Sequence, residues 1–124
     1  MKHILIIDDS ATVRMYHRSI LEAGGYAVDE AINGVEALEK ALGAEHDLYL
    51  VDVNMPLLDG YSFLRELRSH VALPQAPAVM GSTEAESGDR TRAYEAGANF
   101  YLIKPLRPEA LLAHVRVLLG ERPA

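Results

Sequence analysis

Short apolar runs alternate with longer stretches in which apolar residues recur every three or four positions, and the alternation repeats five times. His3 to Ile7 is a compact apolar run that breaks off at Asp8-Asp9-Ser10, the pattern of a buried strand opening into a polar loop. Val13, Tyr16, His17, Ile20 and Leu21 then follow i, i+3, i+4, i+7, i+8 spacing, which predicts an amphipathic helix stopped by Gly24-Gly25. Tyr26 to Ile32 reads as a second strand. Asn33 and Glu36 have the spacing of a capping box, ahead of a helix that carries Val35, Leu38, Ala41 and Leu42 and ends at Gly43. Leu48 to Val51 is continuously apolar, as expected of a strand covered on both faces, and stops at Asp52. After the loop from Val53 to Gly60, a helix bearing Phe63, Leu64, Leu67 and Val71 runs to a break between Leu73 and Pro77. Ala78 to Met80 predicts a short strand, with Gly81 blurring its end. A polar helix follows from about Glu84 to Ala96, weakened by Ser87, Gly88 and a thin apolar stripe, and Gly97 stops it. Phe100 to Ile103 is the fifth strand, ending in Lys104-Pro105. Pro108 opens a last helix whose Leu111, Leu112, Val115, Leu118 and Leu119 form a broad apolar face.

Five strand-helix alternations with short connections predict an α/β fold: a doubly wound, five-stranded parallel sheet with helices on both faces. A chain of 124 residues fits one domain, residues 1–124, with no separate output domain. The 49% hydrophobic and 24% charged composition can fill a core, so a disordered chain is excluded. The excess of 18 acidic over 12 basic residues, a net charge of −6, argues against nucleic acid or anionic lipid as a nonspecific partner. The absence of cysteine removes disulfide and thiolate chemistry. The longest apolar runs fall far short of a membrane span, and Lys2-His3 leads directly into a strand, so a soluble cytoplasmic protein without membrane insertion is expected.

Open parallel sheets bind ligands beyond the carboxyl ends of their strands, near the point where strand order reverses. Four strands here end in polar or reactive residues: Asp8-Asp9, Asp52, Ser82 and Lys104. Two carboxylates about 4 Å apart repel by about 4 kcal/mol at an effective dielectric near 20. Such a cluster is relieved by raised pKa values or by a hard divalent cation with oxygen ligands, and Mg²⁺, which keeps open positions for phosphate oxygens, suits it better. Lys104, one of only three lysines with Lys2 and Lys40, stands where its ammonium can meet the phosphate. Ser82 could donate to the same anion or cap the following helix. The five histidines (His3, His17, His46, His70 and His114) lack metal-ligand spacing and are read as surface or half-buried side chains without chemistry. No glycine-rich phosphate loop is present.

The segments Ile6-Ile7-Asp8-Asp9-Ser10, Val51-Asp52-Val53-Asn54-Met55-Pro56, Asp59-Gly60, Ser82, Glu95-Ala96-Gly97-Ala98 and Lys104-Pro105, in this order and spacing, resemble the receiver domain of two-component response regulators, in particular the stand-alone chemotaxis (CheY-like) type. The resemblance covers essentially the whole chain. It implies strand order 2-1-3-4-5 and a cis Lys104-Pro105 bond. It also implies that Asp52 accepts a phosphoryl group from a sensor histidine kinase or a small phosphodonor. Asp9, Asp52 and the backbone carbonyl of Asn54 would then hold Mg²⁺ directly and Asp8 through water, with Lys104 on a phosphoryl oxygen. Ser82 and Tyr101 would form the switch, while Asn54, Thr83 and Glu84 would tune dephosphorylation. Ser82, Gly81 and Thr83 depart from the residues most usual in the family, which bears on switching and access and leaves the phosphoryl chemistry intact. The implied outputs are chemotaxis or motility control through a flagellar motor switch, a phosphorelay, a phosphate sink or kinase regulation, read out on the fourth helix, fifth strand and last helix.

Two other classes are weighed. A metal-dependent phosphatase with an aspartyl nucleophile usually carries Asp-x-Asp after its first strand, unlike Asp8-Asp9-Ser10, and needs a longer chain to shield substrate. A flavodoxin-like FMN carrier needs a Ser-, Thr- and Gly-rich phosphate loop, where this chain has two carboxylates.

Overall fold

The computed structural model describes residues 1–70, 72–83 and 87–121, Ser87 by its backbone alone. Strands and helices alternate as β1 His3–Ile7, α1 Ala11–Ala23, β2 Ala27–Ala31, α2 Gly34–Gly43, β3 Leu48–Asp52, α3 Gly60–Ser69, β4 Ala78–Ser82, α4 Ser87–Ala96, β5 Phe100–Ile103 and α5 Pro108–Leu118. All four strand pairings are parallel, in the order β2-β1-β3-β4-β5.

Period-two alternation along the strands sorts the core into two layers. Leu5, Ile7, Tyr49, Val51, Ala78 and Met80 face α2, α3 and α4, meeting Ala37, Ala41, Phe63, Leu64, Leu67, Ala93 and Ala96. Ile4, Ile6, Leu48, Leu50 and Val79 face the other way, onto Ile20 and Leu21 of α1 and Leu111 and Val115 of α5. With both faces covered, the central strands need no polar side, which is why they read as unbroken apolar runs.

Local signals set most element ends. The Ser10 hydroxyl accepts from the Val13 N–H at the start of α1, and the Asp59 carboxylate accepts from the Ser62 N–H at the start of α3. Asn33 Oδ1 accepts from the Glu36 N–H, while Glu36 Oε1 reaches back past the cap to the Ile32 N–H, one residue before the Asn33 N–H that a capping box would use. Several boundaries differ from the sequence expectation. β2 starts at Ala27 because the Tyr26 N–H still donates to the Leu21 carbonyl of α1. β4 continues through Gly81 to Ser82, since Gly81 keeps its place in the ladder opposite Asp52 and Leu102. α3 ends at Ser69, and Val71 lies outside the described residues. Among the described side chains of α4 only Ala93 and Ala96 are buried, the thin stripe that its sequence shows.

Among the described residues no helix is long and apolar enough to cross a membrane. Gly60 is fixed by space: a Cβ there would lie 2.2 Å from the carbonyl oxygen of Asp52, while its own N–H donates to the Val53 carbonyl. The start of α3 is thereby pressed against the end of β3. Gly43, by contrast, has nothing within 4 Å of a built Cβ. Gly60→Ala should therefore lower stability by about 2 kcal/mol, whereas Gly43→Ala should be neutral or stabilising by up to about 1 kcal/mol, as read from urea unfolding midpoints.

Candidate functional site

Register alone brings the chemistry together. Ile7 pairs with Val51, so Asp8 and Asp52 leave adjacent strands at the same level, at the point where the chain order reverses between β1 and β3. Ser82 pairs with Ile103, which sets Lys104 one step beyond β4, and the Lys104 N–H donates to the Ser82 carbonyl at 2.7 Å. The following Lys104-Pro105 bond is cis, as the family resemblance implies.

The Lys104 ammonium lies 2.8 Å from Asp8 Oδ2 and 2.8 Å from Asp52 Oδ1, bridging the two strand ends. Asp8 is buried, and its Oδ1 accepts from the Ser10 N–H at 2.9 Å. Asp9 is exposed at the mouth and makes no hydrogen bond or ion pair among the described residues. One oxygen each from Asp8, Asp9 and Asp52 falls within 4.8 Å of the others. Three carboxylates against one ammonium leave the pocket negative, and a close set of hard oxygen donors with one open member fits a small divalent cation.

Burial raises the Asp52 pKa above the usual carboxylate value, assisted by the charges of Asp8 and Asp9 and opposed by Lys104. Burial alone would lower the Lys104 pKa, but its hydrogen bonds to Asp52 and Asp8 outweigh that and raise it, favouring the cationic form. Lys104 therefore holds the two inner carboxylates together, and the outer one faces solvent.

Ser82 is buried at the end of β4, Thr83 and Asn54 are exposed, and Glu84 lies outside the described residues. Tyr101 is turned inward, 2% exposed. Arg90 of α4 sits 5.3 Å over its ring and donates to its carbonyl oxygen, which ties α4 to β5. The loop after β3 reverses tightly: Leu58 N–H donates to the Pro56 carbonyl, and Leu57 between them has φ 71°, a left-handed conformation for an exposed β3–α3 loop residue.

A model of the response regulator receiver domain family matches residues 4–116. This chain belongs to that family. The receiver is 40% identical over 116 residues to the transcriptional regulatory protein ResD of Bacillus subtilis, an alignment covering 94% of this chain and 47% of that protein. It is also 40% identical over 101 residues to a gliding motility regulatory protein of Myxococcus xanthus, covering 82% of this chain and 13% of that protein. The chain thus spans about half the length of ResD and a smaller share of the second relative. Its fold superposes on the chemotaxis protein CheY4 of Vibrio cholerae with a TM-score of 0.88 at 34% identity, covering 95% of this chain and 98% of that one. The receiver domain of sensor histidine kinase PA1611 from Pseudomonas aeruginosa, solved with magnesium coordinated in its active site cleft, matches with a TM-score of 0.88 at 30% identity over 97% of this chain and 98% of that one.

Two histidines correct the expectation that all five are surface or half-buried. His46 is buried at 7% exposure and His17 at 3%. His17 occupies an inward position of the α1 stripe, together with Ile20 and Leu21, so its helical spacing already marked it as a core residue. It lines a crevice with Asp8, Asp52, Gly81 and Lys104 that is too tight for a water molecule, and its Nδ1 has no hydrogen-bond partner. Burial, with a smaller push from Lys104, drives its pKa down to about 4, so the receiver carries a neutral imidazole behind its lysine.

A neutral buried His17 binds fewer protons than the unfolded chain between pH 6.5 and about 4, so its contribution is complete above pH 6.5 and is lost as pH falls through that window. The loss amounts to about 3 kcal/mol. His17→Leu should flatten that part of the stability profile, measured by urea unfolding at a series of pH values.

Proposed function

We propose that this receiver is a phosphoryl-accepting switch whose acceptor is Asp52. The observation that carries the reading is the single ammonium held 2.8 Å from both Asp8 and Asp52, with the third carboxylate of the cluster open at the mouth. Lys104 engages Oδ1 of Asp52, and Oδ2 takes no hydrogen bond from any described residue. That free oxygen attacks the phosphorus of a phosphohistidine on a sensor kinase or of a small phosphodonor. The bond from phosphorus to the donor breaks, and the donor keeps the electron pair. Lys104 moves its contact to a phosphoryl oxygen and neutralises part of the new charge.

In this reading Asp9, Asp52 and the Asn54 carbonyl would hold Mg²⁺ directly, and Asp8 would act through water. When bound, the cation supplies charge neutralisation and alignment of the transferred group. The Ser82 hydroxyl donates to the phosphoryl group from the end of β4, and Tyr101 carries the change outward to α4, β5 and α5. Asn54, Thr83 and Glu84 tune the return to the free state through the access they leave to water.

Phosphorylation alters the balance between conformers of the α4-β5-α5 face, where Tyr94, Ile103 and Val117 are exposed apolar side chains available to a protein partner. We place the receiver first in chemotaxis or motility control in the cytoplasm, acting on a flagellar motor switch or a relay protein. The full-length likeness to CheY4 supports this pathway. The likeness to ResD favours a second reading, in which the same switch governs transcription.

Incubation with acetyl phosphate and Mg²⁺ is expected to add one phosphoryl group by intact mass, with Asp52→Asn unlabelled and the parent unlabelled when the metal is chelated. Labelling of Asp52→Asn equal to the parent would displace the acceptor from Asp52. In a pull-down with cognate partner, the phosphorylated form should bind more strongly, and Tyr94→Ala should weaken that binding without changing the labelling.

A further inference from the structure

One basic side chain reaches the acidic cluster from outside without touching any of its carboxylates. Arg14, on the first turns of α1, is only 14% exposed in its side chain. Its Nη1 donates to the backbone carbonyl of Asp8 at 2.8 Å, and its Nε is 2.7 Å from Glu30 Oε1 on β2. The guanidinium thus spans the end of β1 and the neighbouring strand. Glu30 is gripped a second time by Arg18, whose Nε lies 2.7 Å from Oε2. Burial would raise the Glu30 pKa, but the two guanidinium groups outweigh it and hold the carboxylate ionised, so the anchor stays charged.

The carbonyl that Arg14 holds belongs to the peptide joining Asp8 to Asp9. On the strand side, the Asp8 N–H donates to Ala31 at 3.1 Å. On the loop side, Asp8 Oδ1 is bound by the Ser10 N–H. Arg14 closes the third contact around this peptide, beyond which Asp9 projects with no other restraint among the described residues.

We propose that Arg14 is a positioning residue for the acidic cluster, fixing the Asp8-Asp9 peptide against Glu30 so that Asp9 is aimed at the cation; the inference rests on the reading of that cluster as a Mg²⁺ site. Groups that orient metal ligands from behind commonly contribute 10- to 100-fold to metal affinity. Arg18 is a natural control, because it shares the Glu30 anchor and the charge of Arg14 and makes no contact with Asp8.

Electrostatics and positioning predict opposite signs. Removing a nearby cation leaves the pocket more negative and should tighten Mg²⁺ binding, whereas removing a strut should weaken it. Titration calorimetry of Mg²⁺ into the unphosphorylated protein is therefore expected to show binding about tenfold weaker for Arg14→Gln and unchanged binding for Arg18→Gln. Arg14→Lys should be weakened as well, since an ammonium keeps the charge without the fork that spans both acceptors. Glu30→Gln, which frees the far end of the guanidinium, should weaken binding too, but there the lost negative charge acts in the same direction, so Arg14→Lys carries the test if Arg14→Gln does not fold. In amide spectra the cross-peaks of Asp8, Asp9 and Ser10 should move in Arg14→Gln and stay in place in Arg18→Gln. Affinity in Arg14→Gln equal to or tighter than the parent, or full rescue by Arg14→Lys, would overturn the positioning role. Absence of Mg²⁺ binding in the parent would instead overturn the reading of the site.

Discussion

Two strands that must lie side by side each end in an aspartate, and the fold depends on a cation arriving from a third. The pairing of Ile7 with Val51 makes the closeness of Asp8 and Asp52 unavoidable, because moving either carboxylate away would slip a buried register and turn every core side chain on that strand to the opposite face. Repulsion of about 4 kcal/mol at 4 Å would then act against the folded state in the absence of a partner. Lys104, carried by β5 past the end of β4, supplies that partner to both carboxylates. A protein that only needed a core could have ended these strands in neutral residues. The ammonium offsets part of the repulsion and leaves the negative charge that attracts a divalent cation.

The same lysine connects the centre to the edge of the sheet. Its backbone N–H is bonded to Ser82, its side chain to the acidic pair, and Tyr101 lies three residues before it on β5 beneath Arg90 of α4. Lys104 is therefore bonded at once to the acidic pair and to the strand end that carries Ser82, and it directly follows the strand that bears Tyr101. Because α4 buries only two alanines among its described side chains, its attachment has little apolar area and depends more on the polar tie from Arg90. A helix held this way is moved at lower cost than one with a full apolar face.

Five alternations of strand and helix, and the residues at the strand ends, were legible because each follows from local pattern: apolar runs broken by Asp8, Asp52 and Lys104, and a cap at Asn33, whereas the caps at Ser10 and Asp59 emerged only in the structure. Strand order was not legible from periodicity, since any right-handed arrangement of parallel strands satisfies the same alternation, and it came from the family resemblance. The ends of β2 and β4 were shifted by backbone hydrogen bonds from neighbouring elements, which no side-chain pattern records. Arg14 falls outside the apolar stripe of α1, and nothing in its spacing marks a role. Its partners, a backbone carbonyl and a glutamate on β2, are defined only once β1 and β2 are paired. His17 was visible as a member of the apolar stripe and was set aside because it lacks metal-ligand spacing, although the spacing itself placed it in the core.

The neutral state of His17 belongs to the same charge balance. A second cation behind Lys104 would compete for Asp8 and Asp52 and draw negative charge away from the mouth, where Asp9 is exposed. Keeping the imidazole buried and uncharged avoids this, at the cost of one ring nitrogen left without a hydrogen bond. An aliphatic residue would fill the crevice without that cost, so the histidine is not explained by packing alone. Beside it on α1 the guanidinium groups of Arg14 and Arg18 are paired with Glu30, and Arg14 meets the cluster only through the Asp8 backbone carbonyl. Lys104 is thus the one ammonium in contact with the carboxylates of the acidic centre among the described residues, and the remaining negative charge is directed outward toward solvent.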